Sequence, residues 1–404
     1  MRRNPLSKID FILLSIVILL SIAGLLALYS ATNTTQSQGY FLRQVMVLTI
    51  GFSLLFVTTF TPLKIILRLS YLFYGISIFL LVLVFFFGVI GYGAERWLYL
   101  GPVKLQPSEP AKIATVLAVA RYLSRPEVDI NRFKHLAVVL GFILVPFLLI
   151  ARQPDLGTSL VFLAMIIPVL FWAGLNWFAL FVLIAPLITA IVAFNAVAFT
   201  IWMILIMVIL FFSGRKILVL ATIFILHVFV GIATPKMWDQ LRPYQKQRIL
   251  TFANPEQDPR GSGYQIIQSK VAIGSGGLWG KGFLKGSQTQ LRFLPAQHTD
   301  FIFSVIGEEW GFMGVATIMA LFFLLLVYLL YLATVVKSPF SSISLIGIMV
   351  ILFFHIFVNI GMTVGLAPVT GLPLPFISYG GSFLLTTLFM IGLAMNFSAN
   401  RLKK

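Results

Sequence analysis

Long uninterrupted apolar runs constrain this chain more than any other feature, because a helix needs about 20 such residues to cross the hydrocarbon of a bilayer. They occupy about 9–30, 41–60, 68–90, 107–123, 134–151, 157–174, 177–194, 197–213 and 216–233. After a long polar interval come 310–334, 341–362 and 378–398. Twelve spans are therefore predicted. In lipid every backbone N–H and C=O needs an internal partner, so runs of this length fold as helices. The predicted fold class is an all-α polytopic membrane protein: one integral membrane domain over 1–404, with one long loop at 234–300. Composition agrees, since 59% of residues are hydrophobic and 10% charged, against about 25% charged in soluble domains. The weakest boundary separates 177–194 from 197–213, where Phe194-Asn195-Ala196 carries no charge.

Charge orients the spans. With the N-terminus inside, short inner loops hold Arg2, Arg3, Lys8, Lys64, Arg68, Arg121, Arg125, Arg132, Lys134, Arg215, Lys216, Lys337, Arg401, Lys403 and Lys404, fifteen of the 29 basic residues. Short outer segments hold only Arg43, Arg96, Lys104 and Arg152. This asymmetry obeys the positive-inside rule. It predicts cytoplasmic termini and an outer face made of the long loop with 96–112, 152–155 and 363–375. The opening MRRNPLSK and the apolar Phe11–Tyr29 read as an uncleaved first span, too long for a signal peptide and followed by no small-residue cleavage site. The net charge of +17 is scattered over short loops, which fits membrane topology and not a nucleic-acid partner. With no cysteine, disulfides, thiolate nucleophiles and Cys-based zinc sites are excluded.

Four outer segments are richer in polar residues and glycine than connectors require. In the first, Ser108 is placed to cap a helix, and Glu109 and Lys112 stand three apart on one face. They read either as a local ion pair or as a device in which Lys112 and Lys104 hold an anionic head group while Glu109 orients them. In the second, Asp155 alone reads as a helix cap. The third, the long loop, carries nine Lys and Arg, Arg248 and Lys270 among them, against four acids. That excess suits a phosphate-bearing ligand or simple solubility. Its glycine run Gly274–Gly282 fails both nucleotide-binding patterns, since Ser275, Trp279 and Gly282 stand where glycine, glycine and Ser or Thr are required. These glycines are expected to make tight turns or to let backbone approach a lipid head group. Asp300 closes the loop at the edge of an apolar helix. It reads as a cap of that helix or as a general base, a carboxylate at the water–lipid boundary that accepts a hydroxyl proton. Glu308 and Glu309 read as structural. The fourth segment, around Ser378, interrupts its run with Pro368, Pro373, Pro375, Gly380 and Gly381, as backbone lining a cavity does. The four histidines show no metal-ligand spacing: His227 and His355 read as buried helix residues, and His298 is notable only for its closeness to Asp300.

Together QPSEPAK (106–112), RQPDLGTSLV (152–161), YQKQRI (244–249), DPRGSGYQIIQSKVAIGSGGLWGKG (258–282), FLPAQHTDFIFSVIGEEWGFMG (293–314) and NIGMTVGLAPVTGLPLPFISYGGS (359–382) resemble the SEDS family of peptidoglycan polymerases. The resemblance spans most of the chain, and Asn359–Met362 with Pro373-Leu374-Pro375 fit its RodA, elongation branch better than its FtsW, division branch. It implies a lipid II glycosyltransferase with Asp300 as the catalytic carboxylate. Glu109, Lys112, Asp155, Lys104, Arg248, Lys270 and Ser378 are the expected substrate-binding residues. It also implies the bacterial inner membrane, an extracytoplasmic active site, lipid II and the growing strand as substrates, a class B penicillin-binding transpeptidase as partner, and the elongation machinery around both. No cofactor is implied, and a divalent cation is left open. The family usually has ten spans, so two extra ones are expected before the long loop. A lipid II flippase and a non-catalytic scaffold are the competing readings; no inverted repeat supports the first, and the second would not need Asp300.

Overall fold

The computed structural model describes residues 9–33, 38–91, 94–100, 103–241, 246, 250–252, 254, 262–291 and 293–401. Helices follow the apolar runs: α1 (Phe11–Ala31), α2 (Gln38–Phe60), α3 (Leu63–Phe87), α4 (Ser108–Leu123), α5 (Phe133–Arg152), α6 (Leu156–Trp172), α7 (Trp177–Val192), α8 (Ala196–Phe212) and α9 (Ile217–Gln240). The long loop holds α10 (Ser262–Ser275) and the single turn α11 (Ser287–Gln290), and α12 (Ile302–Val335), α13 (Pro339–Val364) and α14 (Gly381–Ala399) complete the chain. Among the described residues, eight helices (α1, α2, α3, α5, α9, α12, α13 and α14) are long and apolar enough to cross a membrane. Helices α6, α7 and α8 are apolar but shorter, and α4 carries Glu109 and Lys112 within 16 residues. The chain is a mostly helical integral membrane protein.

Side-chain caps set several boundaries. The uncharged connection before α8 is a true break, because the Asn195 side chain accepts from Val197 N and Ala198 N at 3.1 and 3.0 Å. A cap of this kind supplies orphan donors with an acceptor that apolar neighbours cannot.

Three expectations need correction. The fold is not purely helical: β1 (Val89–Gly91), β2 (Ala94–Leu100) and β3 (Val103–Leu105) form an antiparallel meander. Its aromatic β2 sequence AERWLYL and the turn dipeptide Gly101-Pro102 carry a strand signal that the apolar run before it obscured. The polar interval also opens later than 234, since α9 continues helical to Gln240. Helix α12 begins eight residues before the apolar run predicted at 310, and bends at Gly311, whose φ is +65°.

The last two helices and α4 lie innermost. Within their most apolar stretches 72% of α13 and 78% of α14 are buried, against 11% for α9. Helix α14 packs along α2, while α13 lies against α12, α4 and α6. Helices α7, α8 and α9 close a separate small core around Met203, Ile206, Leu210 and Ile223.

The glycine run docks on the start of α12 through backbone. Lys281 N–H and Gly282 N–H donate to the carbonyls of Glu308 and Glu309 at 3.0 Å each, and Phe312 N–H donates to Gly277 O at 2.9 Å. Gly280 has φ +79°, and a Cβ there would overlap the Glu309 carbonyl. The close backbone approach that these glycines permit is to this helix. Glu308, fully buried, secures the arrangement by accepting from Lys281 Nζ (2.8 Å), Gln288 N (2.9 Å), Thr289 N (3.0 Å) and Thr289 Oγ1 (2.8 Å). Glu309 accepts from the Ser30 hydroxyl of α1. Both acids are structural anchors.

Candidate functional site

The broken backbone between α13 and α14 organises the site. Prolines and glycines keep residues 366–380 from continuing either helix, and this extended stretch passes each of the chemical groups in turn. At Thr370 its carbonyl lies against Gly157, two residues beyond Asp155 on α6. Beside Gly371 stands the Asp300 carboxylate. The Leu372 carbonyl accepts from Asn359 Nδ2 at 2.8 Å, and the Pro373 carbonyl meets His355 Nδ1 at 3.1 Å.

Glu109 and Lys112, at the start of α4, are both buried, and Lys112 is fully enclosed. The Lys112 ammonium lies 3.0 and 2.9 Å from the two Glu109 carboxylate oxygens and 3.0 Å from His355 Nε2. An ammonium only donates, so His355 Nε2 accepts; its Nδ1 then carries the proton and donates to Pro373 O. Geometry alone thereby sets a neutral His355 in one tautomer. The ring also stacks on Phe383 at 4.5 Å, and Lys112 lies 5.2 Å from the centre of that same ring. Asp155 caps α6, accepting from Thr158 N at 3.2 Å, and its charge reaches Glu109.

Asp300 is half-buried, and its main chain is held from several sides. Asn359 Nδ2 donates to the Asp300 carbonyl at 3.0 Å. The buried Ser378 hydroxyl donates to Thr299 O at 2.7 Å and accepts from Leu374 N at 2.8 Å. Tyr379 N–H donates to His298 O at 3.0 Å. Three hydrogen bonds thereby fix the backbone from His298 to Asp300. The N-cap position of α12 is Phe301. Burial pushes the neighbouring His298 imidazole below its ordinary value.

Glu109, Lys112 and Asp155 thus form one cluster, Asp300 and Ser378 another, and the stretch 370–373 joins them. Lys270, exposed on α10, lies across Gly365 just past α13. Lys104 sits on β3 opposite Tyr99; its side chain, like all of Arg248, lies outside the described residues. His355 and Asn359 were missed as site residues. They stand four apart on one face of α13, immediately before the broken segment, and that juxtaposition is the signal that would have found them. Among the described residues no group of three or more His, Cys, Asp or Glu is placed to hold a metal ion.

The profile of the FtsW/RodA/SpoVE family, described as "Cell cycle protein", matches residues 8–201 and 196–403. The chain belongs to this family. Among its relatives, the peptidoglycan glycosyltransferase MrdB of Escherichia coli K12 is 39% identical over 97% of this chain and 94% of that one. The peptidoglycan glycosyltransferase RodA of Treponema pallidum is 34% identical over 100% of both. Among solved structures, a chain of a peptidoglycan synthase complex that coordinates polymerization and crosslinking superposes with a TM-score of 0.75 at 34% identity, covering 98% of this chain and 99% of that one. The rod shape determining protein RodA of Thermus thermophilus gives a TM-score of 0.66 at 28% identity, covering 98% of each chain. The FtsW/RodA/SpoVE fold therefore extends over essentially the whole chain.

Proposed function

We infer that this chain is a peptidoglycan glycosyltransferase of the elongation type, polymerising lipid II into β-1,4 glycan strands. Family membership and the names of its relatives support the activity. The structural observation that carries the reading is Asp300: a half-buried carboxylate whose backbone is tied by Asn359 and, through its neighbour, Ser378, beside the stretch that leads to the Glu109–Lys112–His355 network.

In this reading the 4-hydroxyl of the GlcNAc of one lipid II attacks the anomeric carbon of the MurNAc of the lipid-linked strand. Asp300 takes the hydroxyl proton. The bond from that carbon to the diphosphate oxygen breaks, configuration inverts to β, and undecaprenyl pyrophosphate leaves. Glu109, Lys112 and Asp155 shape the floor of the site and hold the 370–373 stretch, through His355, in the geometry Asp300 needs. Lys104, Arg248 and Lys270 supply positive charge for the leaving diphosphate, and Ser378 fixes the loop. The chain acts as a single membrane domain with twelve crossings, two more than the family usually has, and with both termini cytoplasmic. Its catalytic loop, from the end of α9 to Asp300, faces outward. The bacterial inner membrane is its compartment. A class B penicillin-binding transpeptidase crosslinks the strands beside it, within the elongation machinery; a structural relative belongs to a synthase complex, which supports that partnership.

The test is a gel assay of glycan strands made by purified protein and its transpeptidase partner from labelled lipid II. Wild type is expected to give a ladder. Asp300→Asn, with the charge removed but the shape retained, should lose at least about 100-fold in rate. Equal ladders would move the base elsewhere. No ladder from either protein, with lipid II crossing liposome membranes, would establish a flippase.

A further inference from the structure

An aromatic cluster that the mechanism above does not use lies two residues from Asp300 along the chain. Tyr40, at the outer end of α2, stacks on His298 with ring centres 4.9 Å apart and planes 23° apart. It meets Tyr379 edge-on at 5.0 Å, and the His298 and Tyr379 rings stand 6.1 Å apart. All three rings are half-buried, so each keeps accessible surface. Arg43, one helical turn beyond Tyr40 and exposed, is near enough for its positive charge to act on the Tyr379 hydroxyl. The cluster is tied to Asp300 by the Tyr379 N–H bond to the His298 carbonyl and by the Ser378 hydroxyl bond to Thr299.

Packing α2 against the turn before α14 needs only apolar side chains, and leucine or phenylalanine would serve. What stands here instead is a set of amphipathic rings, each partly open, with a guanidinium at their edge. A pyranose presents a face of weakly positive C–H groups, which suits the negative face of an aromatic ring. A guanidinium matches phosphate oxygens with a planar fork of donors. Both chemistries sit next to the carboxylate that must receive a sugar hydroxyl proton.

We propose that Tyr40, His298, Tyr379 and Arg43 form a saccharide-diphosphate subsite flanking Asp300, the rings taking a pyranose face and the guanidinium a diphosphate oxygen. This rests on the glycosyltransferase reading and names how that site grips its lipid-linked substrate. The ring stack sets the height of the sugar, and Arg43 sets where its diphosphate lies.

The experiment measures KM and kcat for lipid II with the full-length protein and its partner, and Kd for lipid II in the Asp300→Asn background. Tyr40→Leu keeps apolar packing and loses the ring; it should raise KM and Kd about tenfold. Tyr40→Phe should stay within about twofold of wild type. Arg43→Gln should raise KM and Kd about tenfold or more, with Arg43→Lys recovering only part. In all four, kcat should hold within about threefold. Unchanged KM and Kd in Tyr40→Leu and Arg43→Gln overturn the subsite, as does a loss of kcat and melting temperature at constant KM, which marks a packing role. Should Tyr40→Leu fail to fold, Arg43→Gln decides alone, its side chain being exposed. A wild type that makes no glycan fails the polymerase reading separately, and the Kd comparison still decides the subsite.

Discussion

Removing the Lys112 ammonium provides the sharpest test of the buried network. In Lys112→Met the Glu109 carboxylate remains in a fully enclosed position, without the cation now 2.9–3.0 Å from its oxygens. Breaking a buried pair from one side costs about 3–5 kcal/mol. The carboxylate has an escape, which is to take up a proton. That costs about 1.36 kcal/mol for each pH unit above the ordinary glutamate value of about 4.3, or about 3.7 kcal/mol at pH 7. The deficit should therefore reach about 3.7 kcal/mol at pH 7 and shrink to about 1 kcal/mol at pH 5. In Glu109→Gln/Lys112→Met both charges are gone, and what remains is His355 Nε2 without its donor, about 1–3 kcal/mol. Glu109→Gln alone leaves a buried ammonium and should be as damaging as Lys112→Met. At pH 7 the cycle should give a coupling of about 4–6 kcal/mol. The assay is equilibrium unfolding in mixed micelles at pH 5 and pH 7, with strand synthesis followed in parallel. Single substitutions that simply add, coupling below about 0.5 kcal/mol, or a Lys112→Met deficit that ignores pH, would refute the buried pair.

The other predictions are separate from that network. Gly280→Ala sets a Cβ against the Glu309 carbonyl at φ +79°, and should lower stability by about 1–3 kcal/mol; a melting temperature equal to wild type would mean the glycine run does not dock on α12. His298 is held below its usual pKa by burial, so the unfolded chain binds that proton first and stability falls as pH drops below about 6.5. Replacing His298 by Asn should flatten this acid-side loss, and an unchanged slope between pH 6.5 and 5 would count against a half-buried neutral ring. A topology reporter fused after Lys216 should read cytoplasmic, and an external reading would remove the twelve-crossing arrangement.

Much of this protein was legible in one dimension because the bilayer reads sequence so literally. Apolar length and the requirement that every backbone group be satisfied locally put a helix near each predicted run, and Asn195 supplied the cap for the boundary that hydropathy could not resolve. The meander at 89–105 was missed because an apolar run and a short strand look alike where they abut, and only pairing between strands separates them. Asp300 stood out because an ionisable group near lipid is costly unless it is paired or used, whereas Glu109, Lys112 and Asp155 entered the candidate site through the family resemblance. Their relations were a different matter. Nothing in the residue order says that Lys112 meets His355 across 243 positions, or that Asn359 holds the Asp300 backbone. Nor does it say that the stretch 370–373 runs between the two clusters. Sequence by itself determined where most of the helices form, since that follows from local transfer energies and local hydrogen bonding, and it nominated candidates for the site. Only the tertiary structure decided which of those residues share a site, because contacts between helices depend on how several buried faces pack at once.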